Sequence, residues 1–151
     1  MKINSIKILV VDDEIGYRKV LNNVLTERGF YVKTAASGEE ALGELKKQEF
    51  PIVIIDMKLP GGIDGLELLQ RIKGMYNSSV LIMTAYGGIE SAVEAMRRGA
   101  FNYITKPFNQ AELISRVRTQ LALKSARDRL ARLAEDKDEL MGVLAHDLKS
   151  H

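Results

Sequence analysis

The chain has no cysteine, no tryptophan and only 3 prolines among its 151 residues. Without cysteine there are no disulfides, no thiolate metal ligands and no sulfur nucleophile, which suits a reducing compartment. One-sided charge is also missing. Its 22 basic residues face 20 acidic ones for a net of +2, so nothing in the charge demands a polyanionic partner. No apolar run approaches the roughly 18–20 residues that a membrane helix needs, and the N-terminus lacks a signal-peptide core. These absences lead us to expect a cytoplasmic protein with no membrane partner. The length suits one domain with a sizeable core plus a modest appendage.

What is present is an alternation. Short aliphatic runs at Ile8–Val11, Tyr31–Ala35, Ile52–Ile55, Val80–Met83 and Asn102–Ile104 read as strands. Three of them are almost continuously apolar, as in a parallel sheet covered on both faces. Amphipathic stretches separate them. Ile15–Arg28 carries Val20, Leu21, Val24 and Leu25 on one stripe and stops at Gly29. Ser37 with Glu40 forms a capping-box pattern ahead of Ala41, Leu42 and Leu45, and Asp64 precedes Leu66, Leu68, Leu69 and Ile72. A fourth helix is expected from about Ile89 to Arg98, and Asn109 with Glu112 opens a fifth. Five β/α repeats joined by helix-length crossovers imply a doubly wound α/β domain over residues 1–122.

In open parallel sheets, functional groups collect beyond the carboxyl ends of the strands. The first strand here ends in Asp12-Asp13-Glu14, the third in Asp56, the fourth in Thr84 and the fifth in Thr105-Lys106-Pro107. Each residue alone reads as a cap, a strand end or a surface charge. Together they place three carboxylates, a hydroxyl and an ammonium on one edge. Three such carboxylates repel unless a cation joins them, and hard oxygen ligands in an open site favour Mg²⁺. No histidine lies in the cluster, which argues against a zinc hydrolase.

Four segments resemble the receiver domain of two-component response regulators. They are Lys7-Ile8-Leu9-Val10-Val11-Asp12-Asp13-Glu14, Val53-Ile54-Ile55-Asp56-Met57-Lys58-Leu59-Pro60, Met83-Thr84-Ala85 and Thr105-Lys106-Pro107-Phe108. The resemblance implies a flavodoxin-like sheet in the order 2-1-3-4-5, with Asp56 taking a phosphoryl group from a phosphohistidine donor. It further implies Mg²⁺ held by Asp12, Asp13, Asp56 and the Lys58 carbonyl. Thr84, the Ala85 amide and Lys106 would receive the phosphoryl oxygens, and Thr84 with Tyr103 would form the switch. A cis Lys106–Pro107 bond also follows from it. The loop Pro60-Gly61-Gly62-Ile63-Asp64-Gly65 is one residue longer than the common family pattern, which puts the geometry beside Asp56 in question. Lys58 and Tyr86 occupy positions that tune dephosphorylation in such domains, and Lys58 reads equally well as facing solvent.

Beyond residue 121 the texture changes. Proline is absent and Gly142 is the only glycine. Leu123, Ala126, Leu130, Leu133, Leu140 and Leu144 share the a and d positions of one heptad register, with Lys137 the polar exception. This segment, 123–151, reads either as one solvated helix or as a parallel coiled coil that makes the chain a homodimer. Its end, His146-Asp147-Leu148-Lys149-Ser150, resembles the start of a histidine-kinase H-box, with His146 as phosphohistidine and Asp147 as the assisting acid or base. His151 stands where proline is expected, as the first residue of a purification tag would. No ATP-binding motif is present, so the expectation is a fragment of a hybrid histidine kinase whose receiver regulates the kinase through the helix. Two other readings stay open. Thr84-Ala85-Tyr86-Gly87-Gly88 and Ala95-Met96-Arg97-Arg98-Gly99-Ala100 are similar to response regulators with a DNA-binding or ATPase output domain, although no direct nucleic-acid contact is expected here. The third reading is a phosphate sink.

Overall fold

The computed structural model describes residues 6–85 and 89–149, with side chains up to residue 145. Five strands and five helices alternate: β1 (Lys7–Val11), α1 (Ile15–Glu27), β2 (Tyr31–Ala35), α2 (Gly38–Lys47), β3 (Ile52–Asp56), α3 (Gly65–Met75), β4 (Ser79–Ala85), α4 (Ile89–Arg97), β5 (Asn102–Lys106) and α5 (Gln110–Lys149). The strands form one parallel sheet in the order β2-β1-β3-β4-β5. This is the doubly wound architecture expected from the strand and helix pattern, in the flavodoxin-like order that the resemblance implied.

Burial follows position in that order. β3 is buried throughout, and β1 and β4 are nearly so, whereas the edge strands β2 and β5 alternate between exposed and covered residues. Leu9, Val11, Val53, Ile55, Val80 and Ile82 meet Ala41 and Leu45 of α2, Leu68, Leu69 and Ile72 of α3, and Ala95 of α4 in one core cluster. Ile8, Val10, Ile52, Ile54, Leu81 and Met83 alternate with those strand residues and are also buried. By pleat alternation they face the opposite side, which is left to α1 and the first turns of α5. Leu21 and Leu25 of α1 and Leu113 and Val117 of α5 are accordingly buried. Truncating Ile55, paired between Val11 and Ile82, would cost about 2–5 kcal/mol through lost burial and the cavity left behind.

The helix starts carry the caps read from the sequence. Ser37 Oγ accepts from the Glu40 amide at 3.1 Å, while the Glu40 carboxylate accepts from the Ala36 amide at 2.7 Å. Asp64 Oδ1 accepts from the Glu67 amide at 2.8 Å, and Asn109 Oδ1 from that of Glu112 at 3.0 Å. Val20 departs from expectation: it is 46% exposed. At 100° per residue it lies at the margin of the stripe centred on Leu21, Val24 and Leu25.

The chain divides into two compact units, Met1–Val117 and Arg118–His151. In the second, Leu123, Leu130, Leu133, Leu140 and Leu144 are exposed. Among the described residues no helix is long and apolar enough to cross a membrane.

Candidate functional site

Strand register assembles the site. Val11 pairs with Ile55, so the next residues, Asp12 and Asp56, leave the sheet side by side. Asp56 itself pairs with Met83, one residue before Thr84, and Ala85 pairs with Lys106. Four strand ends separated by up to 94 positions in the chain thus reach one edge.

Ligand oxygens of Asp12, Asp13 and Asp56 lie within 4.8 Å of one another. Asp12 and Asp56 are buried and Asp13 is exposed, so the cluster has a solvent side. The Lys106 stem reaches across β4 to place Nζ 2.7 Å from Asp12 Oδ2 and 3.1 Å from Asp56 Oδ2. Asp12 Oδ1 accepts from the Glu14 amide at 2.9 Å, and Asp56 Oδ1 from the Lys58 amide at 3.3 Å. Thr84 is buried, and its hydroxyl has only a long 3.5 Å contact to the Ala85 carbonyl. The Lys106–Pro107 peptide is cis, as the resemblance implied.

Charge is imperfectly balanced here. Burial and the neighbouring Asp12 carboxylate push the Asp56 pKa above the ordinary carboxylate value, and the Lys106 ammonium and the Lys58 amide only partly offset them. Burial works against the charged form of Lys106. Its hydrogen bond to Asp12 and the charges of Asp56 and Asp12 outweigh that penalty, so its pKa rises. The donor set, three carboxylates and one flanking strand-end loop, is all hard oxygen and suits a small divalent cation such as Mg²⁺ better than a soft metal.

The longer loop after β3 leaves Asp56 in place. Gly61 takes a left-handed conformation with φ +91°, which absorbs the turn. Leu59 and Ile63 then point into the core cluster. The Gly65 amide donates to the Met57 carbonyl at 3.2 Å, which holds the start of α3 against the strand end.

Not every expected residue joins the cluster. Tyr103 is exposed on β5, paired with Ile82, and the Lys58 side chain faces solvent. Tyr86, Gly87, Gly88, Ser150 and His151 lie outside the described residues, as do the side chains of His146 and Asp147. Two neighbours escaped the sequence reading. Arg18 donates to the Asp12 carbonyl at 2.7 Å, and the Tyr17 ring centroid lies 4.0 Å from Lys106 Nζ. Their position on the first turns of α1, immediately after the Asp12 strand end, was the available signal.

A five-stranded parallel sheet in this order, with an aspartate cluster and a lysine at its carboxyl edge, is the arrangement that the resemblance to receiver domains implied. The chain belongs to the response regulator receiver domain family, whose model matches residues 8–118. It is 42% identical to sporulation initiation phosphotransferase F of Bacillus subtilis, across 79% of this chain and 96% of that protein. A putative NtrX-like response regulator of Rickettsia conorii is 36% identical across 97% of this chain, which spans 32% of that relative. Among solved structures, NtrX from Brucella abortus superposes with a TM-score of 0.81 at 34% identity, covering 84% of this chain and 29% of that one. Its isolated receiver domain gives 0.74 at 37% identity, covering 76% and 98%. These relatives support a response regulator, and the kinase context expected from residues 146–150 finds no support in them. The alignment with the NtrX-like protein covers 97% of this chain, so most of the C-terminal helix lies within a response-regulator match. A five-residue resemblance carries much less information than that.

Proposed function

We propose that the chain is the phosphoacceptor unit of a response regulator of the NtrX-like kind, taking a phosphoryl group from a phosphohistidine onto Asp56. The convergence of Asp12, Asp56 and Lys106 at 2.7–3.1 Å carries this reading. An Asp56 oxygen attacks phosphorus, the P–N bond breaks, and the imidazole nitrogen takes a proton as it leaves. The product is an acyl phosphate. Such a transfer needs alignment and charge neutralisation more than covalent help. Lys106 supplies a fixed positive charge to one phosphoryl oxygen, and the Thr84 hydroxyl and Ala85 amide donate to others. Mg²⁺, held by Asp12, Asp13, Asp56 and the Lys58 carbonyl, would supply the remaining positive charge. The added negative charge draws Thr84 inward, and Tyr103 follows on β5.

The tail serves as a dimerising helix in this reading, supported by exposed leucines at heptad spacing. The deciding experiment treats the chain with a small phosphodonor and Mg²⁺. Labelling is expected in the wild type, none in Asp56→Asn, and a weakened downstream response in Lys106→Ala. Equal labelling of Asp56→Asn would overturn the assignment.

A further inference from the structure

The aromatic ring beside the site lysine has no role in the chemistry above. Tyr17 is half-buried on the first turn of α1. The Lys106 ammonium lies 4.0 Å from its ring centroid while contacting Asp12 and Asp56, and the lysine side chain is only 6% exposed. An ammonium carries three N–H bonds. Asp56 Oδ2 accepts one of them at 3.1 Å, Asp12 Oδ2 sits 2.7 Å away as an ion-pair partner, and the ring covers a further side that water would otherwise take. A cation well inside the ~6 Å reach of a ring face is attracted to it, more strongly once desolvated.

We infer that Tyr17 is a positioning residue for Lys106: its ring seats the ammonium against Asp12 and Asp56 and keeps bulk water from it. The inference rests on Asp56 being the phosphoacceptor. Lysine has a flexible four-carbon stem and a strongly hydrated head, so two carboxylates alone do not prevent an outward swing. The ring closes that route. When Asp56 becomes an acyl phosphate, the ammonium pivots from carboxylate to phosphoryl oxygen without leaving the ring face. Because the contact is to the π face, the phenolic hydroxyl is dispensable: phenylalanine substitutes for tyrosine and leucine does not.

The test compares the wild-type 151-residue chain, Tyr17→Phe and Tyr17→Leu in two measurements. In proton–carbon correlation NMR, the Lys106 Cε protons, assigned by their loss in Lys106→Arg, are expected upfield in the wild type and Tyr17→Phe. In Tyr17→Leu they return to ordinary lysine positions. With phosphoramidate and Mg²⁺, labelling of Asp56 is expected to slow about fivefold in Tyr17→Leu and to stay within about twofold in Tyr17→Phe. Tyr17→Met replaces Tyr17→Leu if the latter melts early. An unshifted Lys106 signal in the wild type, or equal labelling rates in all three chains, overturns this inference alone. No labelling of the wild type overturns the phosphoacceptor reading and this inference with it.

Discussion

Replacing Gly65 with alanine probes how tightly the start of α3 is pressed against the phosphoacceptor strand. A Cβ at residue 65 would lie 2.6 Å from the carbonyl oxygens of both Asp56 and Met57, and 2.8 Å from Met57 Cα. Ordinary contact begins at 3.4 Å, so the strand end and the helix must separate by about 0.8 Å. All three obstructing atoms are backbone, and no rotamer change relieves them. Overpacking of this kind costs about 1–3 kcal/mol, and rigid neighbours put Gly65→Ala near the top of that range. The helix-propensity gain of alanine returns about 0.5–1 kcal/mol. The net expectation is a loss of about 2 kcal/mol, or roughly 6 °C in melting temperature for a domain of this size. All five tyrosines precede residue 110, so near-ultraviolet circular dichroism follows the β/α unit without signal from the tail. The displaced carbonyl belongs to Asp56 itself, and labelling should slow by about 10–100-fold, as misplacements near 1 Å do elsewhere. Gly43→Ala and Gly74→Ala provide the contrast. Both positions are helical with nothing within 4 Å of a new Cβ, so each should stabilise the fold by about 0.5–1 kcal/mol. A Gly65→Ala chain that melts with Gly74→Ala and labels at the wild-type rate would refute the reasoning.

Two further outcomes test the charge and the tail. Because the folded Asp56 pKa lies above its unfolded value, the native state holds more protons in that window, and metal-free stability should fall as pH rises through it. Asp56→Asn removes this slope, so its stability advantage over the wild type should grow as pH rises above the ordinary carboxylate range in urea titrations without metal; a constant difference contradicts the raised pKa. The raised Lys106 pKa acts in the alkaline range, contributing stability below its unfolded value that is lost as pH climbs through the folded one. In the tail, Leu130→Asp with Leu133→Asp should convert a concentration-dependent dimer to monomer in sedimentation while the tyrosine signal of the β/α unit is unchanged. Persistence of the dimer would move the interface elsewhere.

The legibility of this protein differs from element to element. The β1, β3 and β4 runs were readable because a strand covered on both faces cannot alternate polar and apolar residues. Ser37, Asp64 and Asn109 were readable as caps because a side-chain oxygen and an amide three residues later satisfy each other locally. Val20 is exposed despite its place in the pattern, since periodicity alone does not set how wide the covered stripe is. The tail shows the limit of a short motif. His146-Asp147-Leu148-Lys149-Ser150 is too brief to outweigh an NtrX-like alignment over nearly the whole chain.

The sequence by itself determined the element order, the helix starts and the set of strand-end acids, because each depends on residues within a few positions of one another. Only tertiary structure decided which strand ends became neighbours and which groups then touched. Lys106 meets an aspartate 50 residues away, and its partners follow from sheet order and register. The same nonlocal packing put the Tyr17 ring over that ammonium and two carbonyls in the space where a side chain on Gly65 would stand. Local periodicity encodes a residue's own element; it holds no information about the chain brought against it.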